Sequence, residues 1–163
     1  MHRLKNLWRR VAPFLPTFGV ALAIAALTGA IFFLAGFTFV YAQGYSYLVD
    51  DPNACANCHI MRDQFDGWNR SPHRINATCN DCHTPHDSVV AKYAVKALNG
   101  FNHSRAFTLG NFQEPIRITE LNRAVTQDAC VYCHQDAVSE ILHPQSNQPT
   151  DCLTCHAGVG HGK

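Results

Sequence analysis

The sequence predicts a mainly helical and loop-rich chain, in which one N-terminal helix crosses a membrane and a compact domain follows. Three observations lead to this prediction. No charged residue occurs between residues 11 and 49. The same short cysteine motif occurs four times in the rest of the chain. No segment shows the alternation of apolar and polar residues that is typical of a half-buried β-strand.

The N-terminal apolar segment has the length and flanking charges of a membrane anchor. Phe14 to Tyr41 is longer than the roughly 20 residues that cross a bilayer as a helix. Four basic residues precede it and acidic residues begin only at Asp50, so we expect the N-terminus in the cytoplasm. The alternative is a cleaved signal peptide, but its apolar core spans only ~7–15 residues. We therefore predict a basic flank at 1–13, an anchor helix at 14–42 and an external domain at 43–163.

Turn and capping residues predict short helices in the external domain. Pro85 should end any helix that begins at the second cysteine motif, and Ser88 should cap a new helix that ends at Gly100. Residues 111–119 read as a loop. One helix should lead into Cys130, and a separate one should run from 135 to 143.

The cysteines carry the strongest functional signal. All of them belong to four Cys-x-x-Cys-His units. At this spacing two thiols can form thioethers with the vinyl groups of one haem while the adjacent imidazole reaches its iron, so the pattern predicts c-type haem attachment. Zinc sites and redox disulfides also use Cys-x-x-Cys pairs, but neither explains a histidine after every pair. The predicted thioether residues are Cys55, Cys58, Cys79, Cys82, Cys130, Cys133, Cys152 and Cys155, and the motif histidines are His59, His83, His134 and His156.

Four haems would form most of the core of the external domain. The segment from Asp50 onward has too little apolar side chain for an ordinary core, so covalent attachment and iron ligation would stabilise it. The apoprotein should be largely unstructured. The same segment has nine Lys and Arg against twelve Asp and Glu, which argues against binding to nucleic acid.

Four six-coordinate haems need eight axial ligands, which is more than the motif histidines supply. The first motif continues from His59 to Met61, so a second possible ligand lies two residues further on. Histidines outside the motifs can complete bis-histidine ligation. The best candidates are His161 and His73, and His143 and His103 come next. His86 follows His83 too closely to reach a second iron easily.

These features resemble the NapC/NirT family of membrane tetrahaem cytochromes, and within it the small quinol-oxidising subunits of cytochrome c nitrite reductases. The resemblance covers the chain from about Tyr45 to the C-terminus. It rests on Asp51-Pro52, the Cys-x-x-Cys-His-x-Met motif, Trp68 followed by His73, Lys96-Ala97, Asn102-His103-Ser104, Phe107-Thr108-Leu109-Gly110 and the Cys-His-x-x-x-x-His ending from Cys155 to His161.

The resemblance implies a set of iron ligands, with the haems numbered in motif order. Met61 rather than His59 would bind haem 1 and leave its other face open. His83 would bind haem 2, whose sixth ligand would be a lysine of the partner enzyme or His143. The remaining implied pairs are His134 with His161 on haem 3 and His156 with His73 on haem 4.

The resemblance also implies a function at the outer face of the inner membrane. Menaquinol would be oxidised at haem 1, with Lys96 orienting the quinol oxygen, and electrons would pass to a periplasmic multihaem nitrite reductase that makes ammonia. Some relatives carry Asp at the position of His103. Here the histidine would accept a quinol proton or close the site by binding iron, and we favour the proton role. A solvent-exposed helix residue is the alternative for Lys96.

Two other functions fit the same features. The chain could be a passive anchor and electron relay without a quinol site. It could also oxidise quinol for a different periplasmic reductase, such as one for nitrate.

Overall fold

The computed structural model of the chain describes residues 15–139 and 150–162. Within these ranges the protein is helical with connecting turns and loops and has no strand, as predicted. Its α-helices are α1 (Leu15–Tyr41), α2 (Pro52–Cys55), α3 (Arg62–Arg70), α4 (Cys79–His83), α5 (Val89–Leu109), α6 (Glu120–Val138) and α7 (Cys152–Cys155). The chain divides into two compact units, Met1–Gly44 and Tyr45–Lys163.

Helix α1 is the only regular element described in the first unit. Its 27 residues include no charged side chain, and at 1.5 Å per residue they span about 40 Å, more than the ~30 Å hydrocarbon core of a bilayer. The part from Thr17 to Tyr41 is long and apolar enough to cross a membrane, and none of it is buried within the protein. A helix with apolar side chains on every face is stable in lipid because its backbone hydrogen bonds are internal.

The second unit is organised around α6. Asn122 of α6 exchanges two hydrogen bonds of 3.0 Å with Asn99 of α5. Gln127, further along α6, accepts a hydrogen bond from the Cys152 amide at 2.9 Å and donates one to the Thr150 carbonyl at 2.9 Å. Helix α4 also packs against α6. Since α4, α6 and α7 contain the second, third and fourth cysteine motifs, α6 holds these three motifs together.

Helix α5 begins where predicted and ends later. The Ser88 hydroxyl accepts hydrogen bonds from the amides of Val90 and Ala91, as expected of a cap. The predicted end at Gly100 is wrong, because the helix continues to Leu109 and is closed by Gly110 in the left-handed conformation, with φ of 63°. Gly100 lies inside the helix where a Cβ would be 3.2 Å from the Tyr47 ring.

The third motif lies inside one helix. Separate helices before and after Cys130 were predicted, but α6 runs without a break from Glu120 to Val138, since nothing in Cys-x-x-Cys-His interrupts a helix. Residues 135–138 are helical as predicted, but the predicted start of a separate helix at 135 is wrong. His143 lies outside the described residues. The predicted end of α4 before Pro85 and the loop at 111–119 are confirmed.

The polypeptide supplies little apolar core of its own. Among the described residues, Val125 and Ala129 are the buried hydrophobic side chains, and both belong to α6. Large apolar side chains such as Phe101 and Phe107 on α5 are mostly exposed. A unit of this size needs further buried surface to be stable.

Candidate functional site

The described residues have the features expected of a domain that encloses prosthetic groups. None of the eight cysteines, all of which lie in the described ranges, is paired in a disulfide. A cavity of about 420 Å³ lies beside Ser71, Pro72 and Gly158, which is within the range of roughly 300–1,000 Å³ typical of ligand sites. Within the described ranges, the buried atoms Ser71 Oγ and His73 Nδ1 have no hydrogen-bond partner. Since buried polar atoms normally have partners and the core is small, the unit fits covalently bound haem.

Two pairs of predicted iron ligands have adjacent imidazole rings. The ring centroids of His83 and His161 are 6.0 Å apart, and those of His73 and His134 are 6.1 Å apart. Two imidazoles that bind one metal through bonds of about 2.0 Å would have their ring centroids about 6 Å apart. Neither pair is one that the resemblance implies, because His134 would pair with His161 and His156 with His73. The assignment of ligand pairs therefore stays a prediction.

The C-terminal ligand candidate is held against α3. His161 Nδ1 lies 3.0 Å from the Gln64 carbonyl oxygen, and a Cβ at Gly67 would lie 3.0 Å from the His161 backbone. Gly67 is buried. The absence of a side chain at this position thus lets the end of the chain pack on α3.

Around the first motif, Met61 is half-buried and His59 is exposed. Both belong to the short helix His59–Met61. His156 of the fourth motif is exposed as well. His86 stacks on Tyr132 with a centroid distance of 4.4 Å, and its Nε2 lies 2.7 Å from the Asp81 carbonyl oxygen, so this ring already has partners.

Lys96 is buried rather than exposed, with 4% of its side chain accessible. Its ammonium donates to Asp50 Oδ1 at 2.8 Å and to the Val49 carbonyl at 2.9 Å. Lys92, one turn earlier on the same face of α5, donates to Asp50 Oδ2 at 2.6 Å. Hydrogen bonds from Lys92 and Lys96 hold the pKa of Asp50 below its usual value, so the carboxylate stays ionised and the segment before the first motif is tied to α5.

His103 lies two turns beyond Lys96 on the same helix, and it contacts Tyr47. The Tyr47 hydroxyl is 2.8 Å from His103 Nδ1. His103 keeps an exposed surface, but desolvation of its ring lowers its pKa. Burial also raises the pKa of Tyr47 to about 12. At neutral pH the site thus holds a neutral imidazole and a protonated phenol.

The sequence indicated Lys96 and His103 but missed Asp50 and Tyr47 as their partners. Asp50 lies 46 residues from Lys96, and Tyr47 lies 56 residues from His103. No local pattern connects residues so far apart. The spacing of Lys92 and Lys96 was the one available signal, because residues four apart share a helix face and can bind a common anion.

Comparison with known proteins identifies the family. The sequence profile described as "NapC/NirT cytochrome c family, N-terminal region" matches residues 17–163. The chain belongs to the NapC/NirT cytochrome c family. Membership of this family and the cysteine motifs make it a cytochrome with covalently bound haem c, and α1 makes it a membrane-anchored one.

Two relatives and one solved structure are similar to most of the chain. The chain is 39% identical over 147 residues to the cytochrome c-type protein NrfH of Wolinella succinogenes, covering 82% of this chain and 83% of the relative. It is 32% identical over 120 residues to the cytochrome c nitrite reductase subunit NrfH of Nitratidesulfovibrio vulgaris, covering 74% and 72%. A crystal structure of the cytochrome c nitrite reductase NrfHA complex bound to the HQNO inhibitor superposes with a TM-score of 0.60 at 28% identity, covering 86% of this chain and 90% of that one.

Proposed function

We propose that this chain is the tetrahaem subunit that oxidises menaquinol at the inner membrane and passes the electrons to a periplasmic multihaem nitrite reductase. Two NrfH relatives and the similar chain from an NrfHA complex support the partner. Four Cys-x-x-Cys-His motifs support the number of haems. Within the protein, the observation that carries the proposal is a buried, oriented lysine on the same helix as a neutral histidine.

The proposed quinol site lies on one stripe of α5. Lys96, Gly100 and His103 are spaced by four and three residues, so they share a face, and Lys96 and His103 are about 10 Å apart along the helix axis. The Asp50 carboxylate and the Val49 carbonyl next to Lys96 belong to the segment that leads into the first motif. This arrangement supports placing the quinol between α5 and the first haem-binding motif. The resemblance to the family supports Met61 as the ligand of haem 1.

Each residue of this stripe has a definite chemical task. An ammonium has three N–H donors, and Asp50 and Val49 use two of those on Lys96. The third donates to the quinol oxygen and fixes its position. His103 accepts one quinol proton because burial favours its neutral form. The second proton goes to solvent, and the haems, when bound, supply one-electron acceptors with ligand-dependent potentials.

A pair of lysine variants tests this assignment. The holoprotein in detergent is mixed with a reduced menaquinone analogue, and haem reduction is followed by absorbance. Lys96→Gln should slow the reduction about 100-fold, as loss of a single well-placed donor does in other sites. Lys92→Gln is the matched control, because it removes the same charge one turn away while the Lys96–Asp50 contact of 2.8 Å remains.

The control should keep roughly half or more of the wild-type rate, because Lys92 contacts Asp50 and not the quinol. Dithionite should reduce all three proteins fully. Equal quinol-dependent rates for Lys96→Gln and wild type would contradict a quinol site at Lys96.

Co-purification tests the partner. Affinity purification of the chain from membranes of cells respiring nitrite should recover a multihaem nitrite reductase. Recovery of a nitrate reductase instead would favour the alternative partner. The same preparation allows the sixth ligand of haem 2 to be assigned, because a partner lysine is lost on dissociation and His143 is not.

The proposed topology is testable with reporter fusions. We place the basic flank at 1–13 in the cytoplasm, the anchor at 14–42 in the inner membrane and the tetrahaem domain at 43–163 in the periplasm. Alkaline phosphatase fused after the domain should be active, because this enzyme needs the oxidising periplasm to form its disulfides. Alkaline phosphatase activity in a fusion at the N-terminus instead would indicate the opposite orientation.

A further inference from the structure

We propose that Tyr47 is the positioning residue for His103, and that its hydroxyl occupies Nδ1 so that Nε2 faces the quinol as the proton acceptor. This inference rests on the proposed quinol site and adds to it a residue that binds neither quinol nor haem. The observation that carries it is the 2.8 Å contact between the Tyr47 hydroxyl and His103 Nδ1.

The Tyr47 ring is held in place by the helix that it serves. A Cβ at Gly100 would lie 3.2 to 3.4 Å from three ring carbons of Tyr47, so the ring rests directly on the helix backbone between Lys96 and His103. The Tyr47 and His103 rings are 6.0 Å apart and inclined by 50°. The two side chains are therefore joined by the hydroxyl and not by stacked faces, so the hydroxyl can be removed without removing the packing.

The contact with Tyr47 occupies Nδ1 and leaves Nε2 as the imidazole nitrogen available to the quinol. A neutral imidazole has one N–H donor and one acceptor nitrogen, whereas a phenol hydroxyl can donate or accept. When Nδ1–H donates to the Tyr47 oxygen, Nε2 has the free lone pair. The first step of oxidation would then break one quinol O–H bond, form the Nε2–H bond and release one electron to a haem, leaving a neutral semiquinone, while the imidazolium keeps its Nδ1–H bond to Tyr47.

The phenol suits this task. Burial raises the pKa of Tyr47 to about 12, so the hydroxyl remains protonated and uncharged while His103 gains and loses a proton. A partner of constant charge holds the ring in one orientation throughout the cycle. An imidazole that donates its Nδ1–H in a hydrogen bond is also a stronger base at Nε2.

A double-mutant cycle tests the inference. Tyr47→Phe keeps the ring on Gly100 and removes the hydroxyl. We expect kcat for menaquinol oxidation to fall about 5- to 10-fold, the loss that one hydrogen bond of about 1 kcal/mol predicts, with KM and the Kd of oxidised menaquinone changed less than about twofold. In a His103→Gln background, the same substitution should cause no further loss, because Tyr47 acts only through His103. Tyr45→Phe, two residues away and exposed, is the matched control and should match wild type.

A second measurement does not depend on quinol oxidation. Acylation of His103 by diethyl pyrocarbonate at pH 7.5, followed by mass spectrometry, reports the nucleophilicity of the free ring nitrogen. Acylation of His103 should be about two- to fivefold slower in Tyr47→Phe than in Tyr45→Phe, because the hydrogen-bonded ring is the stronger base. This result would stand even if menaquinol failed to reduce the wild-type haems, an outcome that would overturn the proposed function instead.

Three results would overturn the inference. The first is a kcat of Tyr47→Phe equal to that of Tyr45→Phe. The second is an equally large fall in kcat when Tyr47→Phe is introduced into the His103→Gln background. The third is a rise in KM at constant kcat. Each would show that Tyr47 acts by packing or by contact with quinol, and not through His103.

Discussion

At the scale of single residues, Asp50 is the acidic residue that organises the proposed quinol site. Its two carboxylate oxygens accept hydrogen bonds from Lys92 and Lys96, and 48% of its side chain is exposed. Buried Lys96 would otherwise be an uncompensated charge, which is costly. Asp50 therefore serves both the fold and the orientation of the lysine that we assign to the quinol.

Replacement of Asp50 should destabilise the domain in a pH-dependent way. Lys92 and Lys96 lower the pKa of Asp50, so its stabilising effect is complete above the unfolded-state pKa of about 3.9 and is lost as pH falls through the lower folded-state pKa. Because Asp50 is half-exposed, Asp50→Asn should cost only about 1 kcal/mol at pH 7, or roughly 3 °C in Tm. Thermal scans monitored by circular dichroism measure this.

The control for this prediction is Asp66→Asn on α3, an exposed carboxylate. It should leave Tm unchanged at pH 7. The gap between wild type and Asp50→Asn should close below about pH 3.9. A gap that persisted with the carboxylate protonated would show that packing, and not charge, makes the difference.

His103 should set the acid limit of quinol oxidation. Desolvation lowers its pKa, so the neutral, proton-accepting form persists below the usual imidazole pKa of about 6.5 and is lost only as pH falls through the lowered value. The pH–rate profile should therefore stay level through about pH 6.5 and fall only at lower pH, and His103→Gln should remove that limb and slow oxidation about 100-fold. If His103→Gln instead changed a haem spectrum from low-spin to high-spin, His103 would be an iron ligand and the proton role would be wrong.

At the scale of elements, α3 positions the C-terminal ligand candidate. A methyl group at Gly67 would meet the His161 backbone at 3.0 Å, and backbone atoms cannot move aside as the end of a side chain can. Gly67→Ala should therefore displace His161 and convert one low-spin haem to high-spin, seen by electron paramagnetic resonance. Gly160→Ala is the matched control, because a Cβ there meets nothing within 4 Å and Gly160 does not line the cavity beside Ser71. Identical spectra for the two variants would argue against His161 as a ligand.

The elements also show how far sequence reasoning reaches. The apolar length of α1 and the Ser88 cap of α5 are local signals, and both were predicted correctly. Gly100 predicts a helix end, because glycine commonly follows the last residue of a helix. In the structure the helix continues through Gly100, and the Tyr47 ring packs closely on this glycine. Tyr47 and Gly100 are too far apart in the sequence for a local pattern to reveal this contact.

The same contrast holds for the site. The cysteine motifs, Lys96 and His103 follow from spacing and from resemblance. The burial of Lys96, its bond to Asp50 and the Tyr47–His103 contact depend on the tertiary fold. Ligand pairing also depends on the fold, and adjacent rings such as those of His83 and His161 do not by themselves assign an iron to each pair.

At the scale of the whole molecule, we propose that haem is part of the fold, because the described residues form only a small apolar core around the four Cys-x-x-Cys-His motifs. Val125 and Ala129 cannot stabilise the second unit alone. The mature protein should have the mass of the polypeptide plus four haems. Expression without haem attachment should give a chain whose circular dichroism retains the α1 signal and loses most of the remaining helix, and a stable helical apoprotein domain would contradict a haem-dependent core.

The central claim is that menaquinol delivers electrons to this chain. The most direct measurement is haem reduction in proteoliposomes that contain the chain and menaquinol, followed by addition of the purified nitrite reductase catalytic subunit and nitrite. We predict rapid reduction, then reoxidation with formation of ammonium only when all components are present. Haems that remain oxidised with menaquinol but are fully reduced by dithionite would contradict the account and leave an electron relay anchored in the membrane.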